Sequence, residues 1–201
     1  MIRALACLLA VSFAPVAQAQ SLGLPPGMAP CGDTHFDADR YRADLEALGW
    51  VLIPALNRAV QIERLVQSFA ALSVEAGTAV ADVIPAARKV WAARGEETMV
   101  FEGGGQTLML SGATSDDGGV RSILCYLALP GRTDLDAAFD AAAARGALPD
   151  TAQQTFTTTY ADVRPDQTFR VTFTRPNPDG DSAGTAGFAT RLDFPAEAVA
   201  R

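Results

Sequence analysis

Residues 98–129 read TMVFEGGGQTLMLSGATSDDGGVRSILCYLAL, and this stretch decides the fold class. Before it, apolar residues recur about every 3.6 positions, which is typical of helices, whereas within it they recur at every second position, which is typical of strands. Glycines at 103–105 and the polar, glycine-ending segment at 115–119 predict two tight turns. Strands are therefore predicted over residues 98–102, 106–111 and 120–129. The last of them is the most apolar and is expected to lie centrally in a sheet.

A Pro/Gly-rich segment, residues 20–33, precedes the first predicted helix. Its three prolines and three glycines disfavour both a helix and a central strand, so an extended arm is expected. Thr34 followed by Asp37 resembles a capping box, which predicts that a helix begins there. That helix is expected to run to about Leu48 and to end at Gly49.

Two further helices are predicted over residues 55–72 and 78–94. In the former, the apolar positions that keep helical spacing are expected to form one buried stripe. They are Leu56, Val60, Leu65, Val66, Phe69 and Leu72. Pro85 lies inside the latter helix and is expected to kink or limit it.

Another helix over residues 133–145 and strands over 155–163, 168–174 and 188–194 complete the prediction. Helices therefore come first and a mostly antiparallel sheet with one inserted helix follows. This order predicts an α+β fold in which the N-terminal helices pack on one face of the sheet. No change in composition marks a second domain, so residues 34–201 are predicted to form a single α+β domain.

The first nineteen residues are predicted to be a cleaved export signal that takes no part in the fold. Arg3 precedes a nearly continuous apolar run, which is shorter than the roughly 20 residues that a membrane-spanning helix needs. The segment then ends in Ala-Gln-Ala, the small-x-small pattern that signal peptidase cleaves. Cleavage between Ala19 and Gln20 is therefore expected, and the alternative is an uncleaved membrane anchor. The prediction places the mature protein in the periplasm or outside the cell, without a transmembrane anchor.

Cleavage of this signal removes Cys7 and leaves Cys31 and Cys125. In an oxidising compartment a lone pair of cysteines is expected to form a disulfide. Such a bond would tie the N-terminal arm to the predicted central strand. The alternative is two separate thiols.

Composition and charge exclude several classes of protein. With 49% hydrophobic and 19% charged residues, the chain does not resemble a disordered protein. A net charge of -7 argues against nucleic acid as a partner, because nucleic acids attract basic surfaces. The partners that remain are an envelope protein or a small-molecule ligand.

His35 is the only histidine, and it restricts the chemistry that the chain could perform. The segment from Cys31 to Asp37, which includes Asp33, groups a thiol, an imidazole and two carboxylates. These groups would suit a hydrolytic or metal-assisted enzyme centred on His35. In the structural interpretation, which is favoured, Cys31 is in a disulfide and the aspartates belong to a turn and a helix cap. No catalytic residue, cofactor or metal site is therefore predicted.

Three functions remain open on the sequence alone. The first is a non-enzymatic exported domain that binds a partner protein or a small molecule, and residues 156–160 and 169–173 are candidate binding strands because aromatic and threonine residues alternate there. The second is the enzyme centred on His35. The third is a structural or assembly protein of the cell envelope.

Overall fold

The computed structural model describes residues 24, 26–32, 37–73, 80–96, 98–130, 155–164, 167–174 and 185–195. Its α-helices are α1 (Ala38–Ala47), α2 (Ala59–Phe69) and α3 (Val80–Glu96), and 3₁₀ helices occupy Pro26–Gly32, Ala55–Asn57 and Ala70–Ser73. Its strands are β1 (Val51–Leu52), β2 (Met99–Gly103), β3 (Gln106–Thr114), β4 (Val120–Pro130), β5 (Thr155–Arg164), β6 (Gln167–Thr174) and β7 (Thr185–Pro195). The predicted α+β class is confirmed.

The described strands form one antiparallel sheet in the order β1-β2-β3-β4-β7-β6-β5. β4 lies at its centre, as predicted, with β3 on one side and β7 on the other. The hairpin between β2 and β3 turns at Gly104 and Gly105, whose φ angles of 57° and 78° are in the left-handed region. Two consecutive residues with positive φ match the right-handed twist of the strands, so the glycine triplet fixes this turn.

One face of the sheet carries Leu108, Cys125, Leu127 and Phe188, and the N-terminal 3₁₀ helix and α1 contact it. We call it the disulfide face, because the sulfur atoms of Cys31 and Cys125 lie 2.08 Å apart and form the predicted disulfide. α1 contributes two fully buried side chains to this face, those of Tyr41 and Leu45.

The predicted extended arm is a 3₁₀ helix over Pro26–Gly32 instead. Met28 and Cys31 are fully buried, and the indole of Trp50 donates a hydrogen bond to the carbonyl of Gly27 at 2.9 Å. Composition predicted an extended segment because prolines lack the N–H that helices use. Burial of these side chains and the disulfide hold the segment in a compact form despite that.

The opposite face, which we call the helix face, is covered by α2 and α3. Leu65, Val66, Phe69, Ala87 and Trp91 pack there against sheet residues, and the rings of Phe69 and Trp91 stack with centroids 5.4 Å apart. The sheet residues beneath them are Val100, Met109, Ala128 and Ala189. The helices that the sequence predicted on one face thus divide between two faces, with α2 and α3 on one and α1 on the other.

The ends of α1 follow the predicted chemistry with one change. Asp37, rather than Thr34, is the N-cap, and its Oδ1 accepts hydrogen bonds from the backbone N–H groups of Asp39 and Arg40 at 3.1 Å. At the other end Gly49 adopts a φ of 89°, as expected for the residue that ends a helix. α3, by contrast, continues through Pro85, which neither begins nor ends it.

Several predicted features lie outside the described residues. They include the export signal with Ala19 and Gln20, the capping residue Thr34, and the helix over 133–145. Among the helices that are described, none has the length and apolarity to cross a membrane.

Candidate binding groove

A groove of 590 Å³ lies between α3 and the segment formed by α2 and the 3₁₀ helix Ala55–Asn57. It is open to solvent, and it lies on the pair of helices that covers the helix face. Leu56, Ala59, Ile62 and Ala92 supply apolar surface, and Lys89 supplies a cation. Its volume falls within the range of about 300–1,000 Å³ that is typical of ligand sites in proteins.

Arg58 lines the groove and connects its two walls through hydrogen bonds. Its Nε donates to the carbonyl of Ile53 at 2.9 Å, and its Nη1 donates to the carbonyls of Gly95 and Thr98, the latter at 2.8 Å. These bonds tie the start of α2 to the end of α3. Burial lowers the pKa of Arg58, but a guanidinium remains charged in proteins. The groove is therefore built on a rigid connection between its two walls.

Glu63 of α2 and Arg88 of α3 form an ion pair that bridges the two helices beside the groove. The guanidinium of Arg88 donates from Nε and Nη2 to the two carboxylate oxygens at 2.7 and 2.8 Å. Gln67 donates a third hydrogen bond at 2.7 Å. The bond from Arg88, followed by that from Gln67, lowers the pKa of Glu63 to about 2. The only carboxylate among the lining residues is therefore already neutralised by its neighbour.

Leu56, Val60 and Leu72 were predicted to be buried, and the structure shows that this prediction is wrong, since Leu72 is 43% exposed and the other two are more so. The side chain of Leu56 is 98% exposed and that of Val60 is 59% exposed. Residues 55–57 form a 3₁₀ turn with three residues per turn, so Leu56 is out of phase with the apolar stripe of α2. Leu65, Val66 and Phe69 do form the predicted buried stripe.

Lys89 is the only lysine of the chain, and it is exposed on the groove. The structure gives it no carboxylate partner among the described residues. With Glu63 neutralised by Arg88, the groove carries a net positive charge in a chain of net charge -7. The groove thus combines an apolar surface with a cation.

The residues predicted for the enzymatic alternative have the following positions. Cys31 is bonded to Cys125, so its thiol is not available as a nucleophile while the disulfide is intact. Asp37 caps α1, whereas Asp33 and His35 lie outside the described residues. In the part of the chain that the structure describes, no three histidine, cysteine or acidic side chains group in a way that could hold a metal.

The candidate binding strands, residues 156–160 and 169–173, lie in β5 and β6 as predicted. Phe173 is 2% exposed and packs edge-to-face on Phe188, with ring centroids 4.5 Å apart. This aromatic side chain therefore belongs to the core and not to a binding surface, whereas the side chains at 156–160 and 169 lie outside the described ones. Trp50 and Trp91 are also core residues, with 6% and 5% exposure.

The groove was not predicted from the sequence, although one signal pointed to it. Pro54 and Asn57 flank Leu56 and mark a turn, at which a helical period is expected to break. A leucine beside a turn has no fixed partner on the apolar stripe. Its exposure therefore depends on the tertiary structure.

No protein-family model, no curated protein and no solved structure matches this chain. Its function is therefore inferred from its own residues.

Proposed function

We propose that this protein is an exported, non-enzymatic domain that binds an acidic and apolar peptide segment of a partner protein. The binding site is the groove between α2 and α3. The observation that carries the proposal is the exposure of Leu56, 98%, beside an open groove of 590 Å³. Leu56 is not alone, because Ala59, Ile62 and Ala92 line the same groove, and a continuous exposed apolar surface is typical of a binding site.

Export is supported by two independent features. Residues 1–19 have the charged start, apolar run and Ala-Gln-Ala ending of a signal peptide. Cys31 and Cys125 form a disulfide across 94 residues of sequence, and such bonds persist in oxidising compartments.

A peptide suits the groove because of its shape and charge. The groove is open along the helices, so a segment of chain can lie in it and insert an apolar side chain between Leu56 and Ile62. Lys89 is the cation at its margin, and Glu63 offers no competing charge because Arg88 is bound to it. An acidic residue beside the apolar one would therefore be attracted.

The enzymatic alternative has less support. Its possible nucleophile, Cys31, is in a disulfide, and one of its carboxylates, that of Asp37, accepts two hydrogen bonds at the start of α1. A structural use is thus shown for two of the three groups, Cys31 and Asp37 but not Asp33, that were candidates to act with His35.

A panel of phage-displayed random 12-residue peptides tests the binding proposal. Wild-type protein is expected to enrich peptides in which leucine-like and acidic residues are adjacent. L56D should abolish this enrichment, since it places a carboxylate where an apolar side chain is expected to insert. The matched control is L48D, because Leu48 is 52% exposed and lies at the end of α1, not in the groove.

Fluorescence anisotropy with one enriched peptide then measures affinity. We expect L56D to weaken it by about tenfold or more, K89E to weaken it by less, and L48D to leave it unchanged. Equal binding by the wild type and L56D, or the absence of any enriched motif, would refute the groove as a peptide site. Circular dichroism checks that each variant is folded.

Intact mass spectrometry of the full-length chain, expressed in a bacterium with a periplasm, tests the export proposal separately. The expected product begins at Gln20 and gains about 2 Da on reduction, the mass of two hydrogens. A product that keeps residues 1–19 and shows no change on reduction would contradict export.

A further inference from the structure

A second polar surface lies on the helix face of the sheet, beyond the area that α2 and α3 cover. Arg170 of β6 and Arg191 of β7 are directly opposite each other in the antiparallel register, so both are on the same face. Like charges in this arrangement repel and destabilise a sheet. Both side chains are exposed, and no packing requirement explains why two arginines stand here.

A third arginine joins this pair from the end of α3. The guanidinium carbon of Arg94 lies 5.3 Å from the ring centroid of Trp91 and 6.0 Å from that of Tyr126. Both distances are typical of cation–π contacts, which orient a guanidinium. Arg94 also forms a side-chain hydrogen bond with Tyr126, and its other N–H groups are left for a ligand. Tyr126 lies on β4, and the charges of Arg94 and Arg191 both act on its hydroxyl group. Burial nevertheless raises the pKa of Tyr126, so the phenol stays protonated and can donate a hydrogen bond.

The described residues neutralise only part of this charge. Arg191 donates from Nε to the carboxylate of Asp193 at 2.7 Å, and its Nη2 lies 3.3 Å from the hydroxyl oxygen of Ser122. Ser122 in turn donates to the same carboxylate. Within the part of the chain that the structure describes, neither Arg94 nor Arg170 has a carboxylate partner. Among the described residues, this surface therefore has three guanidinium groups and one carboxylate, that of Asp193, in a chain whose net charge is -7.

We propose that this surface, formed by Arg94 beside Tyr126 and by the opposed pair of Arg170 and Arg191, binds a small oxyanion that carries a carboxylate or a phosphate group. The planar fork of a guanidinium matches both groups, since two N–H bonds can reach two oxygens. Arg191 already holds the carboxylate of Asp193 through a single N–H bond from Nε to Oδ1, so a carboxylate is accepted at this position. The hydroxyl of Tyr126 adds a donor that a bound oxygen can use, whereas that of Ser122 is already bonded to Asp193.

The bound anion also relieves the repulsion between Arg170 and Arg191. The ligand should therefore stabilise the fold, because it binds the assembled strands and not the unfolded chain. This surface is separate from the groove, which is lined by Leu56, Ile62 and Lys89.

The experiment is a titration of the purified protein with inorganic phosphate and, separately, with succinate. Binding is measured by calorimetry at low and constant ionic strength, and the melting temperature is recorded alongside. The test variant is R94Q/R170Q, which removes the two arginines that have no carboxylate partner among the described residues. The control is R40Q/R42Q on α1, whose arginines make exposed ion pairs with Asp44 and Asp39 at 3.9 and 3.5 Å.

We expect at least one of the two anions to bind the wild type and the control equally, and to bind R94Q/R170Q about tenfold more weakly. Binding of phosphate alone or of succinate alone identifies the group that the surface prefers. The absence of binding by both anions would overturn the proposal. So would equal binding by all three proteins, since that would be a general effect of salt on the protein.

Discussion

The face of the sheet that carries Cys125 and the face that carries Tyr126 are stabilised in different ways. On the disulfide face a covalent bond ties Cys31 to the central strand, and the indole of Trp50 holds the same segment through Gly27. On the helix face α2 and α3 are held by packing of Phe69 and Trp91 and by side-chain bonds between the helices.

The two faces also differ in whether they carry candidate binding surfaces. Both proposed binding surfaces, the groove and the arginine surface, belong to the helix-face layer. Each contains a feature that does not favour folding, namely an exposed leucine in one and opposed arginines in the other. Because a domain has only about 5–15 kcal/mol of net stability, such features need compensation elsewhere. We infer that the disulfide face provides it.

Removal of the disulfide is expected to have the largest effect. C31A/C125A should lower the free energy of unfolding by about 4 kcal/mol, because the bond spans 94 residues and restricts the unfolded chain. Alanine is used because both cysteines are fully buried. Urea unfolding measures the loss, and wild type treated with a reductant is the control. A loss below about 1 kcal/mol would show that the disulfide does not give its face the stability that we infer.

Overpacking on the helix face is expected to have the next largest effect. A Cβ added at Gly187 would lie 2.8 Å from Cε1 of Phe69 and would also collide with Oγ1 of Thr174. That hydroxyl donates to the carbonyl of Ser68 at 2.6 Å, so the clash disturbs the contact of α2 with the sheet. G187A should therefore cost about 1–3 kcal/mol in thermal or urea unfolding.

The control for this substitution is G119A. The nearest atom to its added Cβ is 3.4 Å away, on the exposed side chain of Asp117. If both variants unfold alike, the close contact at Gly187 does not constrain α2.

Loss of the cap of α1 should have a smaller effect on the disulfide face. D37A removes the acceptor for the N–H groups of Asp39 and Arg40 and should lower stability by about 1 kcal/mol. The control D44A removes only an exposed ion pair with Arg40, whose N–O distance is 3.9 Å. Equal losses in D37A and D44A would argue against Asp37 as the cap.

Acid should weaken the ion pair between Glu63 and Arg88, and this is the smallest effect on stability that we expect. Because the pKa of Glu63 is lowered to about 2 in the folded protein, its carboxylate contributes stability above the ordinary pKa of 4.5 and loses that contribution as the pH falls through 2. The pair is exposed to solvent, so E63Q should cost no more than about 1 kcal/mol at pH 7. The stabilities of wild type and E63Q should converge between pH 4.5 and 2. Parallel stability curves over that range would contradict this prediction.

The parts of the fold that the sequence predicted are those set by neighbouring residues. The glycines before Gln106 predicted the hairpin, Gly49 ended α1, and the high apolar content of residues 120–129 identified the central strand. The disulfide was predictable because only Cys31 and Cys125 remain after the expected cleavage. Each of these signals lies within a few residues or follows from a simple count.

The remaining features depend on contacts between distant residues. The insertion of β7 between β4 and β6 follows from which strands meet, and periodicity does not encode this. Arg170 and Arg191 become neighbours only in that strand order. The compact form of Pro26–Gly32 likewise depends on the burial of Met28, which local composition does not show.

The place of β7 has a consequence for the order of events during synthesis. Strands β1 to β4 and the hairpin of β5 and β6 are joined in the sheet only through β7, which follows all of them in the chain. A nascent polypeptide that has not yet reached residue 185 can therefore form two separate groups of strands but no continuous sheet. A ribosome or a translocation channel that still holds β7 would keep the chain in this incomplete state, which delays formation of the sheet until residues 185–195 have emerged.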